Sequence, residues 1–398
     1  MKRTSTDSGL DPAFGHKGLA ALPDDMAQAT AIAVRQDQTV LVAGAAHGGR
    51  FMVVRLLGSG ELDKSFAEQG VLRDQFEPQQ TAVAVDVFAV QGDKTLVIYN
   101  TTMQNQADII PVAARYHNDG RLDPSYGIDG VSPLYYPQDT QLTAATGASS
   151  AKAQMTPNGG LLTSWWYPSR GRTVTYCLDP NGQPDPAFNQ TGYVMLTPAL
   201  GRRSVSATLL LASGKTLVAG GFTDPEGTDK PFLVKYTTSG KLDVLFGDNG
   251  VILLDDYTGC RYTHWLETPD NRLVGFGKTA GQQASLIVLH ANGHPDPTFS
   301  AHPVIDVWQW TCGMYENGKF TAVGHTTNPH DLVVARYLED GTPDLDFAGG
   351  AGWARFDISG SDETDLPFAV HSTQGALLVS GLTTHMAIGC GFVAKLLA

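Results

Sequence analysis

At residues 120–130 the chain reads GRLDPSYGIDG, and the same arrangement returns six more times. GLDPAFGHKG stands at 9–18, GELDKSFAEQG at 60–70, GQPDPAFNQTG at 182–192 and GKLDVLFGDNG at 240–250. GHPDPTFS at 293–300 and GTPDLDFAGG at 341–350 complete the set. The acid is always Asp, at Asp11, Asp63, Asp123, Asp185, Asp243, Asp296 and Asp344. Three residues on stands a ring: Phe14, Phe66, Tyr126, Phe188, Phe246, Phe299 or Phe347. Periodic self-similarity of this kind is the signature of a repeat architecture.

The motif has a local physical reading. An Asp side chain accepts hydrogen bonds from the free N–H groups of a tight turn, and Pro follows it in four copies. Asp-Pro-x-aromatic thus reads as a capped, 3₁₀-like turn whose ring plugs an apolar slot. Gly15, Gly127 and Gly247 after the ring permit a left-handed exit. A calcium ligand at each Asp is the functional alternative. It needs several oxygen donors per loop, and most copies offer one carboxylate. The structural cap is therefore the reading adopted.

Between motifs, short apolar segments alternate with turn signals. The fourth repeat shows the plan: SVSATLLLA from Ser204, a turn at Ser213-Gly214-Lys215, TLVAGGF from Thr216, FLVKYTT from Phe232, then the motif and GVILLDD from Gly250. That predicts four strands per repeat, a to d, with the motif joining c to d. Successive motif Asp residues lie 52, 60, 62, 58, 53 and 48 apart. A basic residue precedes the Asp by eight at Arg55, Arg115, Lys235 and Arg336. Joining Ala398 to Ser8 would put Lys395 in the same register before Asp11. A splice in register argues for a closed ring rather than an open solenoid, whose ends would need caps. The expected fold is all-β: a seven-bladed β-propeller of four-stranded antiparallel blades over residues 8–398, preceded by a tail at 1–7. Residues near Gly18–Leu22 would supply strand d of the last blade. The recurring basic residues, in fixed register close to the motif Asp, are expected to form an ion pair within their repeat or a solvated outer row.

With these residues in view, the chain resembles the bacterial delta-60 repeat family, a β-propeller repeat of G-x-LD-xSFG-x-x-G type. GKTLVAGGF from Gly214, QTVLVAGAA from Gln38 and DLVVARYLEDG from Asp331 also match its pattern. The resemblance covers essentially the whole chain and implies a fold but no reaction. It departs at ATGASSAKAQMTPNGGLLTSWW in the third repeat and at the sixth motif copy, where Pro303 replaces the late Gly.

In such blades the tight a–b turns and the c–d motifs share one face. The b–c and d–a connections share the other, and they vary most. Among them are WWYPSRGR from Trp165, LYYPQDTQLT from Leu134, LTPALGRR from Leu196, DDYTGC from Asp255 and DVWQWT from Asp306. If the protein binds a ligand, Trp308, Trp310, Tyr135, Tyr136, Trp166, Tyr257 and Arg202 are the candidate contacts, since aromatic and Arg residues anchor interfaces. Packing between blades is the competing role for these rings. His264, Glu267 and His371 are the ionisable residues of note on inner strands. No nucleophile elbow, phosphate loop, dinucleotide fingerprint or HExxH motif occurs. No catalytic residue, metal ligand or cofactor is therefore assigned.

Composition bounds the rest. The formal net charge of −13 disfavours nucleic acid and anionic membranes. Cys177, Cys260, Cys312 and Cys390 form no CxxC pair and are expected to be free thiols. A contact between Cys260 and Cys312 would be an accident of the repeat. No apolar leader or membrane-length run is visible, so a cytoplasmic monomer is the default expectation, with leaderless export left open. The function expected is a binding scaffold for a protein or peptide on the variable-loop face. A carbohydrate-binding propeller and a hydrolase or lyase with a channel-mouth site are the alternatives.

Overall fold

A computed structural model describes residues 9–75, 80–103, 109–137, 152–167, 170–196, 202–224, 226–327, 330–360, 363–385 and 388–397. Among them the strands form seven antiparallel sheets, each sequential in the chain. Blade 1 comprises Met26–Val34, Val40–Ala46, Phe51–Leu56 and Val71–Asp74. Blade 2 comprises Gln80–Val90, Lys94–Met103, Ile109–Tyr116 and Val131–Pro133. In blade 3 strand a is only Gln154–Met155, ahead of Leu161–Tyr167, Arg172–Leu178 and Tyr193–Leu196. Blade 4 follows with Arg202–Leu210, Thr216–Thr223, Asp229–Tyr236 and Val251–Leu253. Blade 5 has three strands, Arg261–Glu267, Leu273–Lys278 and Ala284–Leu289. Blade 6 has Val307–Glu316, Lys319–Thr326, Leu332–Tyr337 and Trp353–Phe356, and blade 7 has Asp365–Thr373, Ala376–His385 and Ile388–Leu397. The seven-bladed propeller is as expected.

The ring closes as the splice predicts. Leu10 and Leu19 form bridges to Leu396 and Ala394, so the N-terminal segment occupies the outer edge of blade 7. Seven apolar cores follow, each drawn from two neighbouring blades. One joins Met26, Ala29 and Val42 of blade 1 to Leu378 and Val393 of blade 7. Both faces of a blade are therefore buried, which is why the middle strands read as continuous apolar runs rather than alternating ones. Trp165 and Trp166 are adjacent, yet both are buried: one in the core with blade 2, the other in the core with blade 4.

The motif behaves as a capped turn. Asp11, Asp63, Asp123, Asp185 and Asp296 each accept the N–H two residues on through Oδ1, at 2.9–3.1 Å. The repeated basic residues do two things at once. Arg55, Arg115, Arg336 and Lys395 pair with the motif Asp of their own repeat. They and Lys235 also lie 4.7–5.9 Å over the motif rings Phe66, Tyr126, Phe347, Phe14 and Phe246.

One expectation fails in blade 5, whose fourth strand is missing. The repeat between Asp296 and Asp344 is the shortest, 48 residues, and cannot hold both a strand d and a d–a loop. The chain turns instead through Asp306, left-handed at φ 65°, straight into strand a of blade 6. DVWQWT is thus mostly strand and not a loop.

Candidate functional site

In six repeats the strand-c residue eight before the motif Asp donates its N–H outward to the glycine closing the motif. These bonds run from Arg55, Arg115, Cys177, Lys235, Arg336 and Lys395 to Gly70, Gly130, Gly192, Gly250, Gly352 and Gly18, at 2.8–3.0 Å. In the seventh the donor would be Val288, and Pro303 stands where the glycine would be. Among the described residues no strand lies outside strand c of blade 5: its ladder is with strand b, and beyond that it makes a bridge from Leu289 to Pro295 of the motif. The outer side of this strand still accepts one bond, Asp296 N–H to the Val288 carbonyl at 2.9 Å. Because backbone groups alternate along a strand, Leu286 and Ala284 face the same open side.

That edge lines a cavity of about 300 Å³, at the small end of ligand pockets. Its walls include Phe299, His302 and Pro303 from the motif loop, Tyr257 from blade 4, and Trp310 with Tyr337 from blade 6. Past Asp296 the loop leaves strand c. It turns away to blade 6, with Ser300 and His302 N–H groups donating to the Asp340 and Gly341 carbonyls at 3.0 and 3.1 Å. An open strand position with aromatic rings in its back wall is the result.

Of the sequence-selected residues, Tyr257 and Trp310 meet at this cavity. Tyr257 is half-buried and stands edge-on to Tyr262, with centroids 6.4 Å apart. Trp310 is 1% exposed and packs edge-on against Tyr337, so it is a core residue lining the cavity from within. Trp308 is half-buried on the same strand, with the Lys278 ammonium 4.5 Å over its ring. The others are elsewhere. Tyr136 and Trp166 are buried at 8% exposure, and Tyr135 is 40% exposed. The Tyr135 carbonyl accepts the Tyr176 hydroxyl at 3.0 Å, and Tyr167 bonds both Tyr176 and the Leu134 carbonyl. These tyrosines pin the end of blade 2 onto blade 3. Arg202 opens strand a of blade 4 opposite Thr223, and its side chain lies outside the described residues. So do parts of the variable loops, at 104–108, 138–151, 168–169 and 197–201.

Among the described residues no group of three acidic, histidine or cysteine side chains gathers at the central channel. Lys152 donates to the Thr30 and Val85 carbonyls of blades 1 and 2 at 3.1 and 3.2 Å. Asp86 accepts the Val87 and Ala153 N–H groups, and its burial raises its pKa against the pull of Lys152. Burial also pushes His264 down to about 4, so it is neutral at pH 7. Glu267 accepts the Ala212 N–H, and His371 contacts the Ser372 carbonyl. The inner hydroxyls of Thr30, Ser206 and Thr311 donate to strand-b carbonyls of their own blades. All four cysteines are free, with Cys177 and Cys312 buried. Outside the channel, Asp331, Asp357 and Asp365 bring carboxylate oxygens within 4.8 Å of one another at the junction of blades 6 and 7.

The sequence carried a signal for the open blade, the pairing of the shortest spacing with Pro303. Its consequence for strand d went unread because the apolar residues Val304 and Val307 mimic a strand on each side of the turn.

The family model "Domain of unknown function (DUF5122) beta-propeller" matches residues 211–246, from the a–b turn of blade 4 to its motif ring. No curated protein matches the chain. Similar solved structures include Trypanosoma rangeli sialidase in complex with sialic acid, at 10% identity and TM-score 0.44, over 98% of this chain and 57% of that one. The chain thus spans little more than half of that sialidase. GH43 endo-arabinanase from Bacillus licheniformis matches at 13% identity and TM-score 0.33, over 69% of this chain and 99% of that one. Neither likeness bears on activity. Among the described residues no helix is long and apolar enough to cross a membrane.

Proposed function

We propose that this propeller is a peptide-recognition module in which an extended segment of a partner protein becomes the fourth strand of blade 5. The observation that carries the reading is the open outer edge of Ala284–Leu289 in a ring whose other blades have that edge paired. Strand addition draws affinity from main-chain hydrogen bonds and specificity from pockets for alternate side chains. The Val288 N–H and the N–H and C=O of Leu286 would supply the first. Tyr257, Phe299, Trp310 and Tyr337 would supply the second. Strands d elsewhere in the ring are three or four residues long, so the core of the ligand is short and its flanks would run over the variable-loop face.

The test is selection from a displayed library of random decapeptides, with enriched peptides measured by calorimetry. A variant in which residues 303–306 are replaced by 250–260 of blade 4 supplies a covalent fourth strand and serves as the blocked control. The proposal expects enriched peptides that bind the native protein, lose about tenfold in affinity with Tyr257→Ala, and do not bind the blocked variant. Peptides that bind the blocked variant equally, or a library that yields no binder, would contradict it. A glycan ligand lost in Trp308→Ala would replace it with the carbohydrate-binding reading, because that ring stands apart from the cavity lining.

A further inference from the structure

Four of the motif Asp residues are buried, at 2–7% exposure: Asp123, Asp243, Asp296 and Asp344. Lys94, Lys215 and Lys319, at the start of strand b, reach the carboxylates of Asp123, Asp243 and Asp344 at 2.7–2.9 Å. From strand c, Arg115 and Arg336 reinforce two of these pairs. Among the described residues Asp296 has neither partner at such a distance. The position eight residues before it holds Val288, a buried apolar side chain. The start of strand b holds Arg272, whose Nη1 stays 3.8 Å from Asp296 Oδ2 while its Nε lies 2.7 Å from an Asp270 oxygen. The exposed His290 comes no closer than 4.0 Å.

The turn accounts for one oxygen of this carboxylate. Asp296 Oδ1 accepts the Thr298 N–H and hydroxyl at 2.9 and 2.6 Å. The Thr298 hydroxyl outweighs burial and holds the carboxyl below its usual range, so Asp296 is ionised at pH 7. Asp296 also lines the cavity beside strand c, where it is the one acid in the wall and no Lys or Arg stands with it. A buried carboxylate that opens on a cavity of about 300 Å³ is stabilised by a cation entering that space. The other blades show where such a cation would stand. There the glycine closing the motif lies opposite the strand-c residue. A Cβ built on it comes 2.7 Å from the Asp185 nitrogen at Gly192, and 3.4 Å from the Asp243 nitrogen at Gly250. In blade 5 the place opposite Val288 falls to the first paired residue of an added strand. Facing residues of an antiparallel pair point to the same side of the sheet. A side chain there is on the side where Arg115 and Arg336 stand in their own repeats.

We infer that the strand received by blade 5 carries a cation at its N-terminal end, and that Asp296 selects it. The inference rests on the peptide reading above and gives the ligand a chemical class. The cation is an ammonium or guanidinium, from a Lys or Arg side chain or from the α-amino group of the first residue. It completes across the interface the ion pair that Arg115 and Arg336 make within their repeats. The antiparallel pairing fixes the polarity, because strand d of blade 4 runs from Val251 opposite Val234 to Leu253 opposite Phe232. The cationic end of the ligand therefore lies toward the motif face, and its remaining length toward the variable loops.

The test selects the random decapeptide library, displayed with free N-termini, against the whole protein and against Asp296→Asn in parallel. Asp296→Asn keeps an acceptor for the Thr298 N–H and loses no ion pair shorter than 3.8 Å, so it should melt within about 2 °C of wild type. Wild type should enrich peptides with Lys or Arg at one position, or with a sequence held at the free N-terminus. Their affinity should fall at least tenfold in Asp296→Asn, because one partner of a desolvated charge pair is gone. Synthetic copies of the enriched peptides separate the two sources. Norleucine in place of Lys or Arg removes the side-chain cation, and acetylation removes the α-ammonium. Loss of binding with either change names the source, and loss with neither overturns the inference, even if Asp296→Asn fails to fold. Peptides that bind wild type and Asp296→Asn alike, but not the variant with a covalent fourth strand, overturn the inference and leave the peptide reading standing. A library that yields no binder overturns both.

Discussion

A single Asp per repeat serves as turn cap, ion-pair partner and anchor for a cation held over a ring. Asp344 accepts Lys319 Nζ at 2.9 Å and Arg336 Nε at 2.5 Å, while burial alone would raise its pKa. The two cations and the turn N–H outweigh burial, and its carboxyl is held below the usual range. Asp123 has the same arrangement with Lys94, Ser125 and Arg115. A depressed folded pKa gives stability that is fully present above the unfolded value of about 4 and is lost as pH falls through the folded value. Asp86 has the opposite sign, because its buried carboxyl is relieved by protonation. Asp344→Asn should cost about 1–3 kcal/mol at pH 7, discounted for the part-exposed lysine. It should also flatten the fall in Tm between pH 5 and pH 3. Asp185 has the turn bond but no basic residue eight before it. Asp185→Asn should therefore cost clearly less in urea unfolding, and equal costs would refute the pairing account. The cap and the pairing were legible in the sequence, because both partners recur at fixed spacing. The stacking of the same cations on the rings was not, since it depends on how strand c leans over the turn.

At the scale of the element, the motif is a joint between blades as well as a turn within one. In five copies the residue after the ring reaches the next copy: Gly15, Ala67, Gly127, Asn189 and Ser300 N–H groups donate to Ser59, Asn118, Asn181, Ser239 and Asp340 carbonyls at 2.6–3.0 Å. The glycine opening the next motif then lies against the ring. At Gly182, with φ 77°, an added Cβ would sit 2.7 Å from the Tyr126 ring. Gly182→Ala should thus cost more than the roughly 1 kcal/mol of backbone strain expected at Gly171, which has φ 58° and no atom within 4 Å. Chemical denaturation of the two variants measures the difference, and equal losses would refute the joint. Sequence reading assigned the turn its own repeat because spacing shows what recurs and not what touches. It likewise gave every repeat four strands. In blade 5 the apolar pattern survived, but the 48-residue spacing and Pro303 removed the room and the glycine that pairing needs.

At the scale of the molecule, seven apolar cores in seven blade interfaces make the ring interdependent, and the N-terminal segment is part of it. Phe14 is 2% exposed in the core between blades 7 and 1, and Asp11 pairs with Lys395 across the closure. A chain lacking residues 9–22 should melt at least 10 °C lower than the full chain and expose the outer edge of blade 7 to self-association. A melting point within 2 °C of the full chain would contradict closure. That closure was readable from the register splice. The vacancy in blade 5 was not, and it is what distinguishes this ring from a uniform scaffold. The direct test is amide hydrogen exchange, resolved by residue, comparing strand c of blade 5 with strand c of blade 4 in the free protein. An unpaired outer edge predicts that the Leu286 and Val288 amides exchange at least a hundredfold faster than those of Leu233 and Lys235, which occupy the same positions in a paired blade. Equal protection at the two pairs of amides would mean that the fifth blade is closed, and the peptide-binding account would fall with it.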